Sequence, residues 1–143
     1  MSAGSEVEIR DLLDDLTRAV RDRDVERSLA RYAPDVLVFD LVKPLQHEGS
    51  ASLRKRLQDW FSSFDGPIGY ELCAVDVVAG EDVSYAHSLN HVKGRTAGGD
   101  ELDMWWRSTL GLRKRDGRWQ VCHSHTSVPF DMETAKASLD LQP

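Results

Sequence analysis

Asp40 stands inside the run Val36-Leu37-Val38-Phe39-Asp40-Leu41-Val42, where every other side chain is apolar. A carboxylate in such a run is expensive to bury unless it is ion-paired, hydrogen-bonded or protonated. Asp40 is therefore a candidate general base, able to take a proton from carbon or water. The plain alternative is a strand at a sheet edge, with Asp40 meeting water or a nearby arginine. A second polar group lies on the final strand. Strict alternation there puts Trp119, Val121, His123, His125 and Ser127 on one face, and Gln120, Cys122, Ser124 and Thr126 on the other. His123 with His125, and His87 with His91, have spacings usable for metal ligation. No Cys or carboxylate is placed with them, so hydrogen bonds across the sheet or a dimer seam are the simpler reading and no metal is expected.

The partners of that strand depend on the turn at Asp116-Gly117. A two-residue turn pairs Arg115 with Arg118 and sets Trp106, Ser108 and Leu110 against the His123/His125 face. A three-residue loop with Gly117 left-handed pairs Lys114 with Arg118 instead. Arg107 and Thr109 then face His125 and His123 as one polar cluster, while Trp106, Ser108 and Leu110 join Thr126, Ser124 and Cys122. The second register matches polar groups with polar groups and is preferred.

The elements that must position these residues are legible in outline. Ser5-x-x-Glu8 fits a capping box ahead of a helix from Glu6 to Arg23, with Ile9, Leu12, Leu13, Leu16, Ala19 and Val20 on one face. Asp24 caps a short helix carrying Val25, Leu29 and Tyr32, ended by Pro34. Val36 to Val42 is a buried strand, and Pro44 to Glu48 a loop or tiny strand. Ser50 caps a third helix with Leu53, Leu57, Trp60, Phe61 and Phe64 on one face, stopped by Gly66-Pro67. Trp60 on that helix is either simple core or the floor of a pocket. Strands follow over Ile68–Ala79, Val83–Lys93, Leu102–Lys114 and Arg118–Val128, with a loop from Gly94 to Asp100. An antiparallel meander after a helical half makes the chain α+β. Residues 1–143 read as one domain, with 1–5 and 131–143 as flexible tails.

Composition narrows the partners. A chain of 143 residues with 41% hydrophobic content can bury a real core. The net charge of -6 argues against nucleic acid, which needs a basic surface. Cys73 and Cys122 read as free thiols in a reducing compartment. No apolar run approaches membrane-spanning length, and no secretion-type leader is read, so a cytoplasmic location with no membrane partner is expected.

Two segments resemble a known superfamily. Tyr32-Ala33-Pro34-Asp35-Val36-Leu37-Val38-Phe39-Asp40 is similar to the ketosteroid-isomerase segment that ends in the catalytic aspartate, and Asp40 falls on that position. Gly80-Glu81-Asp82 and Arg115 to Ser127 resemble the association domain of calmodulin-dependent kinases, which shares the fold without chemistry. The chain thus resembles the NTF2-like superfamily, including SnoaL-like proteins of polyketide pathways, some of them associated with enediyne clusters. The resemblance covers about Val7 to Pro129. It implies a curved sheet wrapped round three helices, a cone with a deep apolar cavity at its open end. It also implies Asp40 pointing into the cavity, Asn90, Leu110 and Thr126 on the lining face, and Trp60 on the third helix. Arg107, Thr109, His123 and His125 would then lie on the convex face where relatives dimerise. The tyrosine that isomerases carry on their first helix is matched by Leu16. Their second, acidic donor falls near Ser108 or Leu110, so the usual oxyanion hole is missing.

Two functional readings follow. One is a tailoring enzyme or accessory factor of isomerase, cyclase or dehydratase type acting on an apolar, polyketide-like molecule. Asp40 would be its base, Asn90, Ser108 and Thr126 its hydrogen-bonding groups, and Trp60, Trp106 and Leu110 its contact surface. It requires no cofactor. The other is a non-catalytic ligand carrier or dimerisation module. Trp105-Trp106 puts one ring on each face of a strand, which favours a homodimer through the outer face.

Overall fold

The computed structural model describes residues 2–143. Three helices, α1 (Ser2–Arg21), α2 (Val25–Leu29) and α3 (Gly49–Ser62), pack into a curved, unclosed sheet of six strands. These are β1 (Tyr32–Phe39), β2 (His47–Glu48), β3 (Phe64–Ala79), β4 (Val83–Thr96), β5 (Glu101–Arg115) and β6 (Arg118–Ser127), in the spatial order β2-β1-β6-β5-β4-β3. The α+β cone expected from the sequence is the fold observed. The meander β3 to β6 is antiparallel throughout, but β1 runs parallel to β6, so the sheet is mixed.

Helix α1 buries Ile9, Leu12, Leu13, Ala19 and Val20, which recur at the three- and four-residue spacing of one face. It lies against edge strand β3, where Arg21 Nε donates to the Tyr70 carbonyl at 2.7 Å and satisfies an acceptor the ladder leaves open. Asp24 caps α2, its carboxylate accepting from the Arg27 amide at 3.0 Å. Asp15 ties the first two helices together, meeting Arg27 Nε at 2.8 Å and Arg31 Nε at 3.0 Å. Helix α3 begins at Gly49, and Ser50 donates to the Pro34 carbonyl instead of capping.

Several sequence expectations change at strand irregularities. Pro34 does not end a helix. It lies inside β1, where the register with β6 shifts between Tyr32 and Leu37, so its missing N–H interrupts no regular ladder. Gly66-Pro67 lies inside β3, again at a register shift. Parts of both terminal segments carry local structure. Ser5 is buried within α1. Residues 129–138 fold into a compact turn closed by an antiparallel bridge between Phe130 and Ala137.

The preferred hairpin register is also corrected. The turn has two residues, Asp116 (φ 52°) and Gly117 (φ 77°), and Arg115 pairs with Arg118. Two successive left-handed residues suit Asp-Gly in a type I′ turn, whose twist matches the flanking strands. The extra residue comes later. Leu112 pairs with Val121 and Gly111 with His123, leaving Cys122 as a bulge whose thiol donates to the Gly111 carbonyl at 3.4 Å. Trp119 and Val121 are buried before the bulge, and Ser124 is buried after it. Alternation therefore changes sides within β6, and His123 and His125 fall on the outer face.

That outer face carries its own polar assembly. His91 stacks on Trp105 with ring centroids 4.1 Å apart and planes within 5°. Its Nδ1 lies 3.2 Å from Glu71 and its Nε2 2.6 Å from Asp103. Burial works against a charged ring, but the bonds to Asp103 and Glu71 outweigh it and hold the His91 pKa above 6.5. A raised folded-state pKa gives stability that is complete below the unfolded value and fades as pH climbs through the folded one. The difference in urea midpoint between the native protein and His91→Gln should be widest below about pH 6.5 and narrow at higher pH. A pH-independent difference would show that the imidazolium is not what binds the two carboxylates.

Candidate functional site

A cavity of about 500 Å³ opens between the helices and the concave face of the sheet. That volume suits a small organic ligand. Each element gives it the face its periodicity dictates. Leu13, Leu16, Thr17 and Val20 come from α1, and Leu53, Arg56, Leu57 and Trp60 from α3, both at helical spacing. Ser88, Asn90 and Val92 alternate along β4, and Trp106, Ser108 and Leu110 along β5. Ser124 and Thr126 come from β6 because the Cys122 bulge turned them inward.

Asp40 follows the last residue of β1 and lines this cavity, with its side chain 16% exposed. Arg56 Nε donates to Oδ2 at 2.8 Å, and the Leu41 amide donates to Oδ1 at 2.6 Å. The Thr126 hydroxyl sits 3.5 Å from Oδ1. The cost of placing a carboxylate in an apolar run is thus met by an ion pair and a backbone hydrogen bond, and the carboxylate still reaches the cavity. Arg56 occupies one lone-pair direction of Oδ2 and leaves the other for a proton.

Two phenols share the cavity with Asp40. Burial, then the negative charge of Asp40, pushes the Tyr32 phenol up to about 12. Tyr70 is also raised, first by burial and then by neighbouring Tyr32, against the opposing effect of its bond with Asn90. Both are protonated donors at neutral pH. Tyr70 is oriented by a short chain: Ser88 Oγ donates to Asn90 Oδ1 at 2.7 Å, and Asn90 Nδ2 donates to the Tyr70 oxygen at 2.9 Å. The Tyr70 oxygen accepts, so its own proton is left for something else. It donates to no acceptor among the described residues. The ring is fixed by near-parallel stacking on Trp106 (5.9 Å, 28°) and an edge contact with Trp60 (5.8 Å, 79°).

The sequence-derived residues separate into two groups. Asp40, Trp60, Asn90, Trp106, Ser108, Leu110 and Thr126 all line the cavity. Arg107, Thr109, His123 and His125 do not. Arg107 Nε donates to Ser127 Oγ at 3.0 Å, and Thr109 pairs with His125 across the outer face. His123 Nδ1 donates to the Leu37 carbonyl at 2.7 Å, and both imidazoles meet the Phe39 ring edge-on. Among the described residues no three His, Cys, Asp or Glu side chains gather as a metal-holding group. Sequence reasoning missed Arg56, Tyr32 and Tyr70. Tyr32 was assigned to the second helix. Tyr70 was legible from the alternation Ile68, Tyr70, Leu72, which puts it on the buried face of β3. Leu16 on α1 carries no phenol, and Tyr32 and Tyr70 line the cavity from β1 and β3.

The fold and site can now be set beside known proteins. A SnoaL-like domain family matches residues 9–131. An NTF2-like protein of unknown function from Pseudomonas putida KT2440 is 38% identical, with 100% of this chain and 99% of that one aligned at a TM-score of 0.91. The chain belongs to the SnoaL-like family of NTF2-like proteins. A ketosteroid isomerase-like protein from Erwinia carotovora atroseptica SCRI1043 aligns at 21% identity over 85% of this chain and 93% of that one, TM-score 0.73. A protein provisionally assigned as a scytalone dehydratase from Novosphingobium aromaticivorans DSM 12444 aligns at 13% over 97% and 95%, TM-score 0.79. At those identities the likeness is one of fold. No curated protein matches the chain.

The Asp40–Arg56 pair makes a direct prediction. Arg56 is 22% exposed, so Arg56→Met leaves a partly buried carboxylate without its counter-charge. The loss should be roughly 1–3 kcal/mol in urea unfolding. The double variant Asp40→Asn/Arg56→Met should recover part of that loss. A double-variant loss equal to the sum of the Asp40→Asn and Arg56→Met losses would mean that the two side chains are not coupled.

Proposed function

We propose that the protein is a proton-transfer enzyme of isomerase, cyclase or dehydratase type acting on an apolar, oxygen-bearing small molecule. The observation that carries this reading is the meeting of the Asp40 carboxylate and the oriented Tyr70 phenol in one apolar cavity. In the reaction Asp40 takes the proton from the carbon next to a carbonyl. The electron pair of the broken C–H bond moves to the carbonyl oxygen as an enolate. The Tyr70 O–H stabilises that oxygen, with Tyr32 as a second donor. Asp40 then returns the proton to another carbon, giving isomerisation, or the enolate expels a β-hydroxyl that takes the proton from Asp40 and leaves as water, giving dehydration and restoring the carboxylate. Neither route requires a cofactor.

The isomerase-like and dehydratase-assigned neighbours support this class by fold alone. We propose further that the substrate is a polyketide-like molecule of secondary metabolism, the enediyne class included, in keeping with the resemblance of the sequence to SnoaL-like proteins. A homodimer through the outer face, where Trp105 and His91 stack, completes the proposed assembly, in the cytoplasm.

Proton exchange tests the reading before a substrate is known. In deuterated buffer the protein should catalyse deuterium uptake beside the carbonyl of an apolar bicyclic ketone such as 2-tetralone, followed by NMR. Asp40→Asn should lower the rate on the order of 10²–10⁴-fold with the fold retained. Tyr70→Phe should lower it about 10²-fold. A ketone that binds without exchange would favour the second reading, a ligand carrier. That reading has its own support, since Arg56 and the Leu41 amide already engage both Asp40 oxygens.

A further inference from the structure

The cavity has a wall that neither the sheet nor the helices supply. Ala137 and Leu139, near the end of the chain, line it, as do Leu41 and Val42 from the segment after β1. The segment that carries them is bonded to itself. The Asp131 amide donates to the Lys136 carbonyl at 2.8 Å, the Ala135 amide to the Asp131 carbonyl at 2.7 Å, and the Ser138 amide to the Pro129 carbonyl at 2.7 Å. The Asp131 carboxylate accepts from the amides of Glu133 (2.8 Å) and Thr134 (3.1 Å). Among the described residues no hydrogen bond or ion pair joins 130–143 to anything before Pro129. Leu139 lines the cavity yet remains 51% exposed, and Val42, which also lines it, is 46% exposed. Both side chains have apolar surface left to bury.

A unit held together internally, attached at one end and resting on the mouth by apolar contact alone, can move as a body without breaking a polar bond. We propose that residues 130–143 form a hinged strap, pivoting at Pro129, that completes the ligand site, with Ala137 and Leu139 closing over the bound molecule. The strap makes direct ligand contacts and gates entry and exit. A ligand that fills the cavity to its mouth gives Leu139 an apolar partner, so the segment discriminates by ligand length. This rests on the reading of the cavity as a ligand site, not on the chemistry assigned to Asp40.

The test uses the full chain and N-phenyl-1-naphthylamine, a neutral apolar fluorophore, with excitation through Trp60 and Trp106 in stopped flow. Leu139→Asp and Ala137→Asp should speed probe exit about ten-fold and speed entry as well, because a charge at the mouth opposes closure. Leu139→Trp should slow exit by enlarging the apolar cover. Both positions are exposed, so unfolding midpoints should stay near the native value and separate gating from damage. Native protein that binds the probe, with all variants within about two-fold of its rates, would overturn the strap and leave the cavity reading standing. Native protein that takes up no probe would overturn both.

Discussion

Between Leu112 and Gly111 of β5, strand β6 spends an additional residue, Cys122, that the partner strand does not match. Everything that follows in β6 is displaced to the opposite face by that one insertion. Before it, Trp119 and Val121 pack into the core against α1; after it, Ser124 and Thr126 face the cavity. Without the bulge the same sequence would aim His123 and His125 at the ligand and push Ser124 and Thr126 outward. The cavity would then carry two titrating rings. With the bulge, both rings bind β1 from outside, one of them through the Leu37 carbonyl. A backbone irregularity thereby sets the cavity's polarity, and the bend it introduces suits a sheet that must curve round α1 and α3.

The cavity lies between two core clusters, one gathered on α3 and β1 and the other on α1 and the middle of the sheet, and takes lining from both. Packing to normal density would fill such a space. It stays open because large rigid rings brace it: Trp60, Tyr70 and Trp106 contact one another at 5.8–6.0 Å. The same rings carry the Tyr70 hydroxyl to a fixed place. Rigidity and chemistry are therefore not separate designs here. The stack that resists collapse also aims the donor, and Asn90, buried and bonded to both Ser88 and Tyr70, fixes its remaining rotation.

How much of this was legible in the sequence depended on the range of the interaction. Local patterns gave the presence of the first helix, the Asp24 cap and the alternation of β4 and β5, because each rests on neighbours within one turn or one pleat. Ser5, by contrast, lies inside the helix rather than at its cap, and alternation in β6 breaks at Cys122. Asp40 was legible because a charge interrupts an apolar run. Its partner Arg56 lies sixteen residues on, in another element, and an arginine on a helix surface looks the same whether it faces solvent or a carboxylate. Tyr32 was hidden by Pro34, which reads as a helix stop but sits in a strand whose partner is the last strand of the chain. The bulge had no signature, since Cys122 is an ordinary strand residue. The preferred register nevertheless put the right residues inward, for the wrong reason: it assigned the extra residue to the turn, and an extra residue anywhere before Ser124 reverses the same faces.

Arg56 bears on what kind of molecule the cavity can hold. Asp40 and Arg56 are its paired charges, in contact at 2.8 Å, and otherwise its polar lining is largely hydroxyls, phenols and an amide. An anionic ligand would meet Asp40 with no unpaired cation in compensation, and a cationic one would compete with Arg56 for the same oxygen. A neutral ligand avoids both penalties, and its carbonyl finds a ready donor in Tyr70. In the proposed proton transfer, negative charge reaches the substrate oxygen only when Asp40 has taken the proton. At that moment the carboxyl is neutral, the substrate oxygen is negative, and Arg56 is released from its partner with its field intact. Under that proposal, an ion pair that looks inhibitory in the resting state would become stabilising once the proton has moved, because the total charge in the cavity would not change.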